Sequence, residues 1–105
     1  MGYVYLIGQR DDQTKYKIGV TKGSIESRMK KLQTGNAEEL YIVNFFETDA
    51  PFNIETILHK KYAHKKILNE WFILDDEDVK DFYRNCEVMQ RSVDSLKDNC
   101  FFYKH

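Results

Sequence analysis

Gly2–Ile7 is a run of aromatic, β-branched and other apolar residues after one glycine, and it reads as a strand. With a period of two, Tyr3, Tyr5 and Ile7 share one face and Val4 and Leu6 the other. Polar Gln9–Thr14 carries the turn residues Asp11 and Asp12, and Lys15–Val20 reads as a second strand closing a hairpin. Opposite residues of a hairpin point to the same side of the sheet. A register pairing odd with odd positions therefore puts Tyr5 and Lys17 on one face. The period then becomes helical. Ser24 is a suitable N-cap for a helix to about Leu32, with Ile25, Met29 and Leu32 as its apolar stripe. Arg28 lies about 60° from that stripe at 100° per residue, on the flank, where it can reach along the sheet. Thr34–Gly35–Asn36 ends this helix, and Leu40–Phe46 is a third strand.

The second half is helical by pattern. Asp49–Ala50–Pro51 opens a helix to about Tyr62, with Pro51 in its first turn. Ile54, Ile57 and Leu58 face inward, while Glu55 and His59, four residues apart, sit side by side on the edge of that face. Lys61 falls inside the apolar arc, which the pattern does not explain. Trp71–Leu74 is a short apolar stretch, a strand or a hydrophobic plug. Asp75–Asp78 place negative charge at the start of a last helix, where the dipole favours it. Val79, Phe82, Cys86, Met89, Val93 and Leu96 repeat at heptad spacing, capped by Cys100, Phe101 and Phe102. That seam either packs on the domain or pairs with a second copy.

The length of 105 residues fits one domain, with 14% aromatic residues to anchor a small core. No apolar run is long enough to span a membrane, and nothing at the N-terminus has the form of a secretion signal. Cys86 and Cys100 lack the spacing of a metal or redox motif, so reduced thiols and a cytoplasmic location are expected. The net charge of −1 conceals an asymmetry. Residues 1–70 carry eleven basic and nine acidic side chains, a net of +2; residues 71–105 carry five and eight, a net of −3. Lys30–Lys31, Lys60–Lys61 and Lys65–Lys66 concentrate the positive charge. Such clusters suit a polyanion, and they equally suit a solvated surface.

Tyr5, Lys17, Arg28 and Glu55 each have an ordinary reading: a packed strand tyrosine, a surface lysine, an ion-paired arginine and a solvated glutamate. Together they meet the needs of phosphodiester hydrolysis. An arginine fork holds the charged phosphorane. One carboxylate can hold a Mg²⁺ or Mn²⁺ that keeps most of its waters. A tyrosine activates water if nearby Lys17 and Arg28 lower its pKa. His64, five residues beyond His59, breaks the spacing of a helical zinc pair.

GYVY at Gly2–Tyr5, YKIG at Tyr16–Gly19, Arg28, a helical Glu55 and NEWF at Asn69–Phe72 resemble the GIY-YIG nuclease superfamily. More narrowly, they are similar to its phage and large-virus branch, whose second motif reads Lys-Ile-Gly. The resemblance covers about residues 2–74, leaving 75–105 as a helical extension. It implies an α+β fold with a small three-stranded antiparallel sheet flanked by helices, in agreement with the pattern above. It implies a divalent-metal-dependent DNA endonuclease. Tyr5, Arg28 and the metal-binding Glu55 then stand at the family's catalytic positions. Gly2, Tyr3, Ile18 and Gly19 belong to its two structural motifs. Lys17 replaces the usual second-motif tyrosine, so either Tyr5 or Lys17 is the base, with Tyr3 in reserve if the register differs. Glu70, next to Trp71, competes with Glu55 as the metal ligand. His59 is expected to position water or contact phosphate, and Lys30, Lys31, Lys60 and Asn69 to contact DNA. A non-catalytic nucleic-acid-binding module and an interaction protein dimerising through its last helix are the other readings. The chain would act as a monomer or a homodimer, in a cytoplasm or, if viral, the host cytoplasm or nucleus.

Overall fold

The computed structural model describes residues 1–98. Strands β1 (Gly2–Gln9) and β2 (Lys15–Thr21) form the expected hairpin, followed by α1 (Ile25–Thr34), β3 (Leu40–Thr48) and α2 (Pro51–Lys61). A single 3-10 turn leads to β4 (Lys66–Leu68) and β5 (Trp71–Ile73), and then α3 (Asp76–Lys80) and α4 (Phe82–Asp98). The sheet has five antiparallel strands in the order β3-β1-β2-β5-β4. The expectation of a three-stranded sheet is therefore wrong. Two three-residue strands extend it, and neither is long enough to show a period. All three residues of β4 are exposed, so it has no buried face to betray it.

Local chemistry accounts for the elements. The Ser24 hydroxyl accepts from the Ser27 amide and caps α1, and Pro51 occupies the first turn of α2. Asp75 and Asp78 form a reciprocal capping box at the start of α3. The expected single last helix is divided at Asp81. Asn69, with φ 54°, turns the two-residue link between β4 and β5, a backbone region asparagine tolerates.

The sheet is covered on both faces. On one face Tyr5, Ile7 and Leu40 pack with Ile25 of α1, flanked by Met29, Leu32 and Trp71. On the other, Val4, Leu6, Ile18 and Phe72 meet Ile54 and Leu58 of α2 and Phe82, Cys86 and Met89 of α4. Each fully buried aliphatic side chain there contributes roughly 1.5–3 kcal/mol. Ile57 is exposed, contrary to expectation, because the inward stripe of α2 runs through Ile54 and Leu58, with Ile57 on its flank. Lys61 is exposed too, its amine 5.9 Å from the Tyr62 ring centroid.

The heptad seam is spent within the chain. Phe82, Cys86, Met89 and Val93 are buried in the domain's own core, while Leu96 is exposed. Polar ties reinforce this docking: Lys97 Nζ meets Asp49 Oδ2 at 2.6 Å, and Asn85 donates to the Tyr62 hydroxyl at 3.0 Å. Burial pushes the Cys86 thiol up to about 12. Cys100, Phe101 and Phe102 lie outside the described residues. No described helix is long and apolar enough to cross a membrane.

Candidate active site

The hairpin register pairs Tyr5 with Gly19 and Ile7 with Lys17, odd with odd. Tyr5 and Lys17 thus share the α1 face of the sheet. Gly19 is needed because the hydroxyl end of the Tyr5 ring lies against it. A Cβ at that position would stand 2.6 Å from Tyr5 Cζ, a clash that no real side chain sustains. The close approach that Gly19 permits is that of the Tyr5 side chain. Gly2 has an equivalent packing role, since a Cβ there would meet the Thr21 carbonyl at 2.9 Å and Pro51 Cγ at 3.0 Å.

The remaining site residues gather where β2 loses its neighbour. β5 pairs with β2 only along Lys15, Tyr16 and Lys17, and the last bond across runs from the Ile18 amide to the Glu70 carbonyl at 3.1 Å. Beyond that, the backbone acceptors on this edge of β2 need other partners. Two side chains supply them from opposite faces of the sheet. Arg28, from α1, donates through Nη2 to the Val20 carbonyl at 3.1 Å. His59, from α2, places Nε2 3.0 Å from the Ile18 carbonyl. Because a carbonyl only accepts, that nitrogen carries a proton. Its ring packs edge-on against Phe72, with centroids 4.9 Å apart.

Glu55 stands one helical turn before His59, its Oε2 4.0 Å from His59 Nε2. That separation is too long for a hydrogen bond. Glu55 Oε2 and Arg28 Nε are both buried with no hydrogen-bond partner among the described residues. Orphaned buried groups of this kind are uncommon and costly. Burial raises the Glu55 pKa, opposed by the charges of His59, Lys17 and Arg28 and reinforced by Glu70. Burial also raises that of Tyr5, although the Arg28 guanidinium beside it pulls the other way. The expectation that neighbouring positive charge would make Tyr5 a phenolate base is therefore overturned. Desolvation wins, and the phenol stays neutral near pH 7.

Lys17 is held rather than free. Its Nζ lies 2.9 Å from Glu70 Oε2 and 5.6 Å from the Trp71 ring centroid. Among the described residues, no three His, Cys, Asp or Glu side chains cluster as a metal site. Any cation here would therefore rest on few protein ligands and keep its waters, the habit of Mg²⁺. An acceptor oxygen without a partner and a donor nitrogen without a partner, within one charged cluster, suit a hard cation and an anionic oxygen respectively.

A model of the T5orf172 domain matches residues 2–87. The chain belongs to the T5orf172 domain family. It is a phage-associated, nucleic-acid-related domain allied to nuclease-like modules. The span matched in this T5orf172 domain takes in all five strands and the start of α4. No curated protein and no solved structure matches the chain significantly.

The T5orf172 chain thus brings Tyr5, Lys17, Arg28, Glu55 and His59 to one stretch of strand edge. It does not bring Tyr3, which sits beside Glu47 and Glu26; their negative charge, that of Glu47 above all, raises its pKa and makes it a poor reserve. Lys30, Lys31, Lys60 and Asn69 are exposed at the surface. Glu70, the competing candidate for the metal ligand, belongs to the cluster as the partner of Lys17. Only the β2–β5 pairing places it there, and that pairing has no local signature.

Proposed function

We propose that this domain is a divalent-metal-dependent DNA endonuclease of the GIY-YIG type. The observation that carries the reading is the pair of buried, unpartnered atoms, Glu55 Oε2 and Arg28 Nε, in one cluster with Tyr5 and Lys17.

Each residue has a task set by its surroundings. Glu55 would hold Mg²⁺ or Mn²⁺, which when bound supplies Lewis-acid stabilisation of the phosphate and leaving oxygens. Arg28 is anchored to the Val20 carbonyl, so its free Nε is fixed in advance toward the negative charge that grows on the phosphorane. Tyr5, neutral and wedged over Gly19, would orient the attacking water through its hydroxyl. As the water's oxygen bonds to phosphorus and the bond to the leaving oxygen breaks, the water's proton would pass to a non-bridging oxygen of the phosphate itself and on to solvent. The leaving oxygen would take its proton from solvent. Lys17, steadied by Glu70, sets positive charge against the phosphate. His59 has its Nε2–H committed to the Ile18 carbonyl, so it fixes the α2 edge that carries Glu55.

The test is nicking of supercoiled plasmid DNA in Mg²⁺ or Mn²⁺. The wild-type protein nicks, and a chelator stops it. Glu55→Ala and Arg28→Ala each lose on the order of 10²–10³ in rate, the usual cost of removing one group that stabilises a transition state. Cleavage that persists in both variants places the activity elsewhere.

A further inference from the structure

Beside the proposed catalytic cluster, at the β4–β5 hairpin, lies a separate hollow of about 200 Å³. A water claims roughly 30 Å³ in the liquid, so the hollow exceeds a hydration site. Its walls are Trp71, Leu68, Ile67, Lys15, Gln9 and Asn36. Leu68 is 65% exposed and Ile67 47%, so an aliphatic surface is left open to solvent. Trp71 packs against the Tyr5–Ile7 cluster and also lines the hollow. The walls thus combine one indole, two aliphatic side chains, two primary amides and one ammonium, with no carboxylate among them. Trp71 pairs across the sheet with Lys17, whose amine lies 5.6 Å from the indole centroid. The hollow and the catalytic cluster therefore share a border at Lys17.

We propose that this hollow receives one unpaired nucleobase, stacked on Trp71, of a DNA strand whose backbone lies on the Arg28–Glu55 site. Indole and aliphatic walls match the apolar faces of a base. The Gln9 and Asn36 amides can meet its polar edge, and Lys15 the phosphate beside it. Stacking on an aromatic ring accepts any base, so the site selects an unpaired strand over a duplex rather than a sequence. The one charged group in the lining, Lys15, is cationic and suits the phosphate that accompanies a nucleobase, a charge that the neutral backbone of an apolar peptide does not offer. This inference rests on the nuclease reading and names its substrate class: DNA with an exposed single-stranded segment.

Trp71 is the only tryptophan in the chain, so its emission reports on this hollow and on the Lys17 border beside it, and an abasic strand separates the two. The experiment titrates the full chain, in EDTA to prevent cleavage, with a fluorescein-labelled single strand, the same strand made abasic throughout, and the matched duplex. Binding is read by anisotropy, and unlabelled strands are used to follow tryptophan emission. The single strand is expected to bind and quench Trp71; the abasic strand and the duplex are expected to bind more weakly, without quenching. Trp71→Ala should cost about tenfold for the normal strand and little for the abasic one, since base–aromatic stacking accounts for the difference. Because Trp71 also packs on the core, Leu68→Ser, at an exposed position and without added charge, serves as the second variant and should show the same selective loss with Trp71 emission retained. A strand that binds by anisotropy while Trp71 emission stays unchanged overturns the base site and leaves the nuclease reading intact. Equal affinity for normal and abasic strands overturns it in the same way. Plasmid nicking that disappears in Glu55→Ala, together with no binding of any oligonucleotide, also overturns the base site alone. Absence of both binding and nicking removes the two together.

Discussion

A buried carboxylate with an unpartnered oxygen is a stability defect, and removing its charge should make the protein more stable while abolishing its proposed chemistry. Glu55→Gln keeps the shape and deletes the charge. The Glu55 side chain is 18% exposed. A buried polar atom left without a partner costs about 1–3 kcal/mol, more if it is charged, and partial exposure places the recoverable share near ~1 kcal/mol. For a domain of this size that corresponds to a rise of roughly 4–8 °C in Tm. The pH dependence has a defined sign. Burial raises the Glu55 pKa above its ordinary 4.5. Below 4.5 both folded and unfolded forms are protonated, and the group costs nothing. As pH rises through the window between 4.5 and the raised value, the unfolded chain loses its proton first and stability falls; above that window the full penalty remains. Thermal melts of the wild type and Glu55→Gln, followed by circular dichroism from pH 4 to pH 8, should converge at the acid end and separate toward neutrality, with the variant higher. Mn²⁺ should raise the wild-type Tm at pH 7.5 and leave the variant unmoved. A variant that melts at or below the wild-type temperature at pH 7.5, or a gap that does not change with pH, would refute the assignment of a desolvated carboxylate at this edge.

Gly19→Ala forces a methyl group into the Tyr5 ring, and overpacking of this kind should cost about 1–3 kcal/mol in urea unfolding; an unchanged midpoint would show that Tyr5 is not wedged there. In a Cys100→Ser background, Cys86, buried with its thiol pushed up to about 12, should react with a disulfide reagent only as fast as the protein unfolds. A reaction complete in seconds under native conditions would contradict the docking of α4. Phe82→Ala should destabilise by about 3–5 kcal/mol without changing the mass in solution, because Phe82 packs inside its own domain. A mass that halves would place the seam at an interface between copies.

The hairpin, α1 and α2 were legible in the sequence because each carries its own signal within ten residues. Strand alternation put Tyr5 and Lys17 on one face for an odd-with-odd register, which the pairing itself supplies; Ser24 capped α1, and Pro51 opened α2. What stayed hidden is non-local. β4 and β5 are three residues each, and neither their pairing nor their docking on β2 has a periodic trace. That docking decides the site. Because β5 stops at Trp71, the edge of β2 beyond it is left without a partner strand, and the carbonyls of Ile18 and Val20 must find side chains. Arg28 and His59 answer that need from opposite faces of the sheet, which is why residues on two helices, 31 positions apart, meet at one strand. The pKa expectation for Tyr5 failed for a related reason. Sequence spacing shows which charges lie nearby, but the depth of burial comes from α1 and Gly19 closing over the ring, and here burial outweighs the Arg28 charge. A longer β5 would satisfy the edge with backbone alone and release Arg28 from Val20. The brevity of that strand is therefore what holds the guanidinium in place with Nε unpartnered, and the site owes its geometry to a sheet that ends early.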